Sequence, residues 1–113
     1  MDISMIVLVC GGKENSSLSR IDMALRNMEI NTIITGDTRG YDSLSQQWAN
    51  QNNIPCKVYK TEYNKYGKRA GYKRNVAMFD ENDIDCVVAF PGGRGTDIIL
   101  AIADSANIQT IRI

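Results

Sequence analysis

Histidine is absent from this chain. That removes every mechanism needing imidazole, including Ser-His-Asp and Cys-His catalysis and the usual zinc hydrolases. Cysteine is scarce: Cys10, Cys56 and Cys86 are an odd set without CxxC or metal-ligand spacing. They sit in or beside apolar runs, which predicts reduced, buried thiols in a cytoplasmic protein and no metal or cofactor. Net charge is also missing, since 13 basic residues balance 13 acidic ones. No whole-molecule field therefore draws in nucleic acid or an acidic membrane, and neither is expected as a partner. No apolar run approaches membrane-spanning length, and the opening Met-Asp-Ile-Ser-Met has no basic region ahead of an apolar core.

What is present describes one globular domain, 1–113. The chain is 43% hydrophobic and 23% charged, enough for a real core. The basic residues are unevenly placed. Lys57, Lys60, Lys65, Lys68, Arg69, Lys73 and Arg74 face a single nearby acid, Glu62. Such a run serves either an anionic ligand or a solvated face.

Met5 to Cys10 is a continuous apolar run, as expected of a strand buried on both faces, and it stops at Gly11-Gly12. Ser16 or Ser17 then offers a helix N-cap, with Leu18, Ile21, Leu25 and Met28 as one apolar stripe. A second strand, Asn31 to Thr35, ends at Gly36-Asp37. Thr38 to Asp42 opens a second helix carrying Tyr41, Leu44 and Trp48 on one face. Cys56 to Lys60 alternates in polarity like an edge strand. A polar connection, Thr61 to Arg69, leads to a third helix at about Gly71 to Asp80, with Tyr72, Val76 and Phe79 inward. A strand from Ile84 to Phe90, a helical pattern from Ile98 to Ala106 and a last strand from Gln109 to Ile113 complete the chain.

Strict βα alternation predicts an α/β, Rossmann-like three-layer sandwich: a five-stranded parallel sheet, order 3-2-1-4-5, with helices on both faces. In such sheets the ligand crevice lies beyond the carboxyl ends of the strands, where the order reverses. Here that point falls between the first and fourth strands, so Gly11-Gly12 and Gly92-Gly93 are expected to flank one cleft. Gly36 to Gly40 lies next door.

The candidate site residues follow from that edge. Gly11, Gly12 and Lys13 do not fit G-x-G-x-x-G, and no Walker lysine is present. In Gly36-x-x-Arg39-Gly40-x-Asp42, Arg39 offers a bidentate grip on phosphate or carboxylate, and Asp42 an acceptor for ribose hydroxyls. The alternative is that Asp42 only complements the helix dipole and Arg39 pairs with it. Arg74 and Asn75 lie on the third helix, where an arginine is commonly just solvated. Trp48 and Met78 read as core. Tyr63, Tyr66 and Tyr72 either stack on a base or pack under a loop. Pro91-Gly92-Gly93-Arg94-Gly95-Thr96 is the specific signal. Its glycines permit close backbone approach, the following helix aims its N–H groups at the turn, and Thr96 is a candidate cap.

These residues resemble a family. Pro91 to Thr96 is similar to the PGGxGT signature of the SLOG superfamily, Rossmann-like domains related to LOG phosphoribohydrolases and DprA-type DNA-processing proteins. Val-Cys-Gly-Gly at the first strand, Gly36-x-x-Arg39-Gly40-x-Asp42-x-Leu44 and Arg74-Asn75-x-x-Met78 extend the likeness, most of all to the short bacterial and phage branch. The resemblance implies a nucleotide or ADP-ribose-like ligand in the crevice of a homo-oligomer, a dimer or larger. LOG enzymes continue PGGxGTxxE, and the glutamate acts with an arginine at the position of Arg74. Here the glutamate position is Ile99. Asp97 is two residues early and faces about 200° away on a helix. Hydrolysis through an oxocarbenium-like state needs a carboxylate, and isoleucine supplies none. The expectation is ligand binding without turnover, as a sensor or sequestering protein, phage-encoded against a host nucleotide signal. The alternative is a phosphoribohydrolase acting on nucleoside monophosphates in which Asp97, Asp42 or Asp37 replaces the glutamate.

Overall fold

The computed structural model describes residues 4–113. Met1 to Ile3, part of the opening read above for a leader, lie outside them. The elements run β1 (Met5–Cys10), α1 (Leu18–Leu25), β2 (Ile30–Gly36), α2 (Tyr41–Gln51), β3 (Cys56–Tyr59), α3 (Tyr63–Tyr66), a 3-10 turn (Gly67–Arg69), α4 (Ala70–Asp80), β4 (Cys86–Ala89), α5 (Arg94–Ser105) and β5 (Gln109–Arg112).

The five strands form one parallel sheet in the order β3-β2-β1-β4-β5. Strands β1 and β4 are apolar at every position because each face of the sheet carries its own core. Val7, Val9 and Val88 point toward α1 and α2, where they meet Ile21, Leu25, Tyr41 and Trp48. Leu8, Ile34 and Val87 point the other way, onto Met78 of α4 and Ile99 and Ala103 of α5. Period-two side-chain alternation thus distributes one hydrophobic run between two layers.

The helices end by defined chemistry. Ser17 caps α1 by accepting from the Arg20 amide. Asn53 (φ 56°) and Asn107 (φ 57°) reverse the chain after α2 and α5. Ile54 then bonds the Ala49 carbonyl, and Ile108 the Ala103 carbonyl, at 2.9 Å each.

Four expectations need correction. Residues 61–69 are not a plain connection: they hold α3 and the 3-10 turn, which bury none of their residues and so leave no apolar period in the sequence. Tyr72 faces outward at 55% exposure, because α4 turns Ala70, Asn75 and Met78 into the protein. Met28 lies beyond the end of α1 but still packs on the core. Finally, α5 starts at Arg94 with Gly93 as its N-cap, so Thr96 sits inside the first turn and is not the cap.

Candidate functional site

The turns after β1, β2 and β4 meet at the carboxyl edge of the sheet, and the Gly12 peptide joins all three. Its N–H donates to the Pro91 carbonyl at 2.9 Å, and its carbonyl accepts from Tyr41 N–H at 3.2 Å. Gly40 packs directly against that carbonyl with φ at 88°, a conformation and a closeness that only glycine accommodates. Beneath the turns the Tyr41 and Phe90 rings stack with centroids 4.4 Å apart, and the Tyr41 hydroxyl donates to the Asn15 carbonyl.

A cleft of about 640 Å³ opens over this junction, within the range of small-molecule sites. The first turn of α5 forms one wall. Gly93 gives it no side-chain cap, so its leading N–H groups are available to a ligand in the cleft. Thr96 is buried, and its hydroxyl packs against Gly92 where a side chain would otherwise stand.

Arg74 forms the opposite wall. Its side chain is only 10% exposed, so it is not the solvated arginine that its place on α4 suggested. Nη1 donates to Asp37 Oδ1 at 3.1 Å and to Thr61 Oγ1 at 3.3 Å, while Nε donates to Asn75 Oδ1 at 2.9 Å. Asp37 also accepts from the Thr61 amide and hydroxyl, both at 2.8 Å. Burial acts to raise the Asp37 carboxyl pKa, but the Thr61 hydrogen bonds and Arg74 outweigh it and leave the carboxyl below its ordinary value.

Asp42 is buried beside the guanidinium and accepts from Thr38 N–H at 3.2 Å. Burial pushes its carboxyl upward, against the opposing pull of the Thr38 amide and Arg74. Cys10 also lines the cleft. Burial, with the Asp42 charge nearby, pushes its thiol up to about 12, so it behaves as an apolar wall.

Of the residues predicted from sequence, Gly11, Gly12, Lys13, Asp42, Arg74, Pro91, Gly92, Gly93, Gly95 and Thr96 line the cleft. Gly36, Gly40 and Asn75 stand behind that lining and support it. A Cβ on Gly36 would fall 2.7 Å from both Arg74 Cζ and Asp42 Oδ2, so this glycine makes room for the pair. Arg39, Arg94 and Asp97 are exposed and outside the lining, and Arg39 makes no ion pair with Asp42. Sequence reasoning missed Glu14, Asn15 and Thr38 in the lining and Cys10 as a wall, while Ile99, which the resemblance set at the glutamate position, does line the cleft. Thr38 was findable, as the second residue after a strand that ends at the cleft. Glu14 and Asn15 carry no such signal.

A protein-family model described as "YspA, cpYpsA-related SLOG family" matches residues 5–66, just over half of the chain. The chain belongs to this SLOG family. "Gene 61 protein" of Mycobacterium phage D29 is 30% identical over 86 residues, covering 70% of this chain and 68% of that protein. No solved structure matches. The family match spans β1 to α3, including the Gly11-Gly12 and Gly36 to Asp42 turns. It does not reach Pro91 to Thr96, whose part in the cleft rests on the geometry above. Among the described residues, no helix is long and apolar enough to cross a membrane.

Proposed function

We propose that this SLOG-family protein holds a nucleotide or nucleotide-derived ligand of the ADP-ribose type in the cleft without cleaving it. The observation that carries the reading is Ile99. It is 4% exposed and lines the cleft from α5, at the position where resembling hydrolases keep their glutamate. An aliphatic wall there supplies neither a base nor a stabilising charge for N-glycosidic cleavage. Around it stand donors suited to an anion: the first turn of α5, Lys13 and Arg74.

The reading extends to a sensor or sequestering role against a host nucleotide signal. A phage relative is in keeping with that role. A cytoplasmic setting accords with three free thiols. A second copy of the chain would be seated on the apolar groove of α5 formed by Ile98, Ala101 and Ile102. The second reading is a phosphoribohydrolase using Asp42, favoured by that carboxyl's place beside Arg74 and its raised pKa.

Incubation with nucleoside monophosphates and with linear and cyclic ADP-ribose separates the two. Intact ligand recovered after heat denaturation supports holding. Released base that disappears in Asp42→Asn supports hydrolysis and overturns the first reading.

A further inference from the structure

Outside the cleft, the segment from α3 into α4 carries a second kind of surface. Lys65, Lys68, Arg69 and Lys73 are all exposed, and among the described residues none of them joins a salt bridge. Four like charges this close on a small, neutral molecule repel one another unless something gathers them. Tyr66 does so for two. Lys65 Nζ lies 5.1 Å and Lys73 Nζ 5.8 Å from the centroid of its ring, so two ammonium groups share one aromatic ring. Tyr63 stands next to them with 70% of its surface exposed, and Tyr66 itself keeps 38%. The sequence left these tyrosines between stacking on a base and packing under a loop, and this exposure removes the packing role. Tyr72 is set apart, since it borders the apolar α5 groove.

We infer that this face is a docking surface for single-stranded nucleic acid, with Tyr63 as the base platform and the four cations, two of them gathered by Tyr66, along the phosphate backbone. Exposed rings interleaved with cations provide the sequence-tolerant stacking and charge neutralisation that single strands need. None of these residues lines the cleft, and α3 and the 3-10 turn bury none of their residues. A small ligand needs concavity to be enclosed, whereas a polymer needs only a track. The zero net charge of the whole chain does not oppose this, because the surface charge is local, with Glu62 the single acid set against the four cations.

The test is fluorescence anisotropy of a labelled oligothymidylate with the full chain at several salt concentrations, with circular dichroism melts as a control on folding. Binding at low salt is expected to weaken steeply with salt. Lys68→Gln with Arg69→Gln is expected to reduce the log–log slope by about 0.7 for each phosphate no longer neutralised. Tyr63→Ala is expected to weaken binding about tenfold with the melting curve unchanged. Absence of binding at low salt overturns the inference. So does binding that is matched by a duplex or by heparin and is indifferent to Tyr63→Ala, which would mark a surface for polyanions in general. Failure of ADP-ribose to bind in the cleft would leave this result untouched.

Discussion

Arg74 reaches Asp37 at 3.1 Å across the gap between α4 and the end of β2, and the same carboxylate holds Thr61 at the end of β3. The guanidinium is thereby fixed on its outer edge while its inner side lines the cleft. An arginine anchored in this way meets an anion with little rotamer entropy left to lose.

Acid should expose that anchor. The Asp37 carboxyl sits below its ordinary value when folded, so its contribution is complete above the unfolded carboxylate range and is lost as pH falls through the folded value. Asp37→Asn is expected to be less stable than the parent at neutral pH, and the two should converge in acid below about pH 4. Urea unfolding across pH measures this; a gap that stays constant with pH would contradict it.

Gly36→Ala tests the room left for Arg74. The new methyl would press on the guanidinium and on Asp42 Oδ2. Arg74 is a long side chain, but its bonds to Asp37, Asn75 and Thr61 restrain it from moving aside. A stability loss of roughly 1–3 kcal/mol is expected. Calorimetry with ADP-ribose should show a larger proportional loss of affinity.

Asp42→Asn should separate stability from binding. Burial raises the folded carboxyl, so the charged form is held at a cost at neutral pH that declines as pH falls through that raised value. An asparagine oxygen can still accept from Thr38 N–H. The variant is expected to melt higher than the parent at pH 7, with the difference shrinking in acid, and to bind ADP-ribose about tenfold more weakly. A variant that melts lower at every pH would show that the carboxylate is a net structural support.

Cys10 should resist alkylation. With its thiol pushed up to about 12 and its surface buried, iodoacetamide at mildly alkaline pH is expected to label the half-buried Cys56 first. Peptide mass spectrometry over time distinguishes the sites, and early modification of Cys10 would mean that the cleft wall opens.

Strands β1 and β4 were legible because parallel strands buried on both faces are apolar at every position, and β1 begins and ends where its apolar run does. The cleft edge was legible because glycines mark each strand end there. The inward face of α4 was not: it is set by Ala70, Asn75 and Met78, while the bulkier Tyr72 attracts attention to the wrong side. Arg74 could not be recognised as buried, since what buries it is Asp37 and Thr61 from two other strand ends. Arg39 and Arg94 looked like phosphate grips from their neighbours, but their side chains remain in solvent. Local motif chemistry identifies candidate groups, and only tertiary packing decides which of them face inward.

The Gly12 peptide has a further consequence for how the site comes into being. Its two hydrogen-bond partners, Pro91 and Tyr41, come from opposite halves of the chain. Such distant pairings incur loop-closure entropy before they return any stability, and the cleft floor cannot close until β1 and β4 are brought together. A fragment ending where the family match ends, at residue 66, would keep the Tyr41 contact but lack Pro91 and the entire α5 wall. The proposed binding function would therefore be a property of the closed sheet, and no half of the chain would carry a share of it.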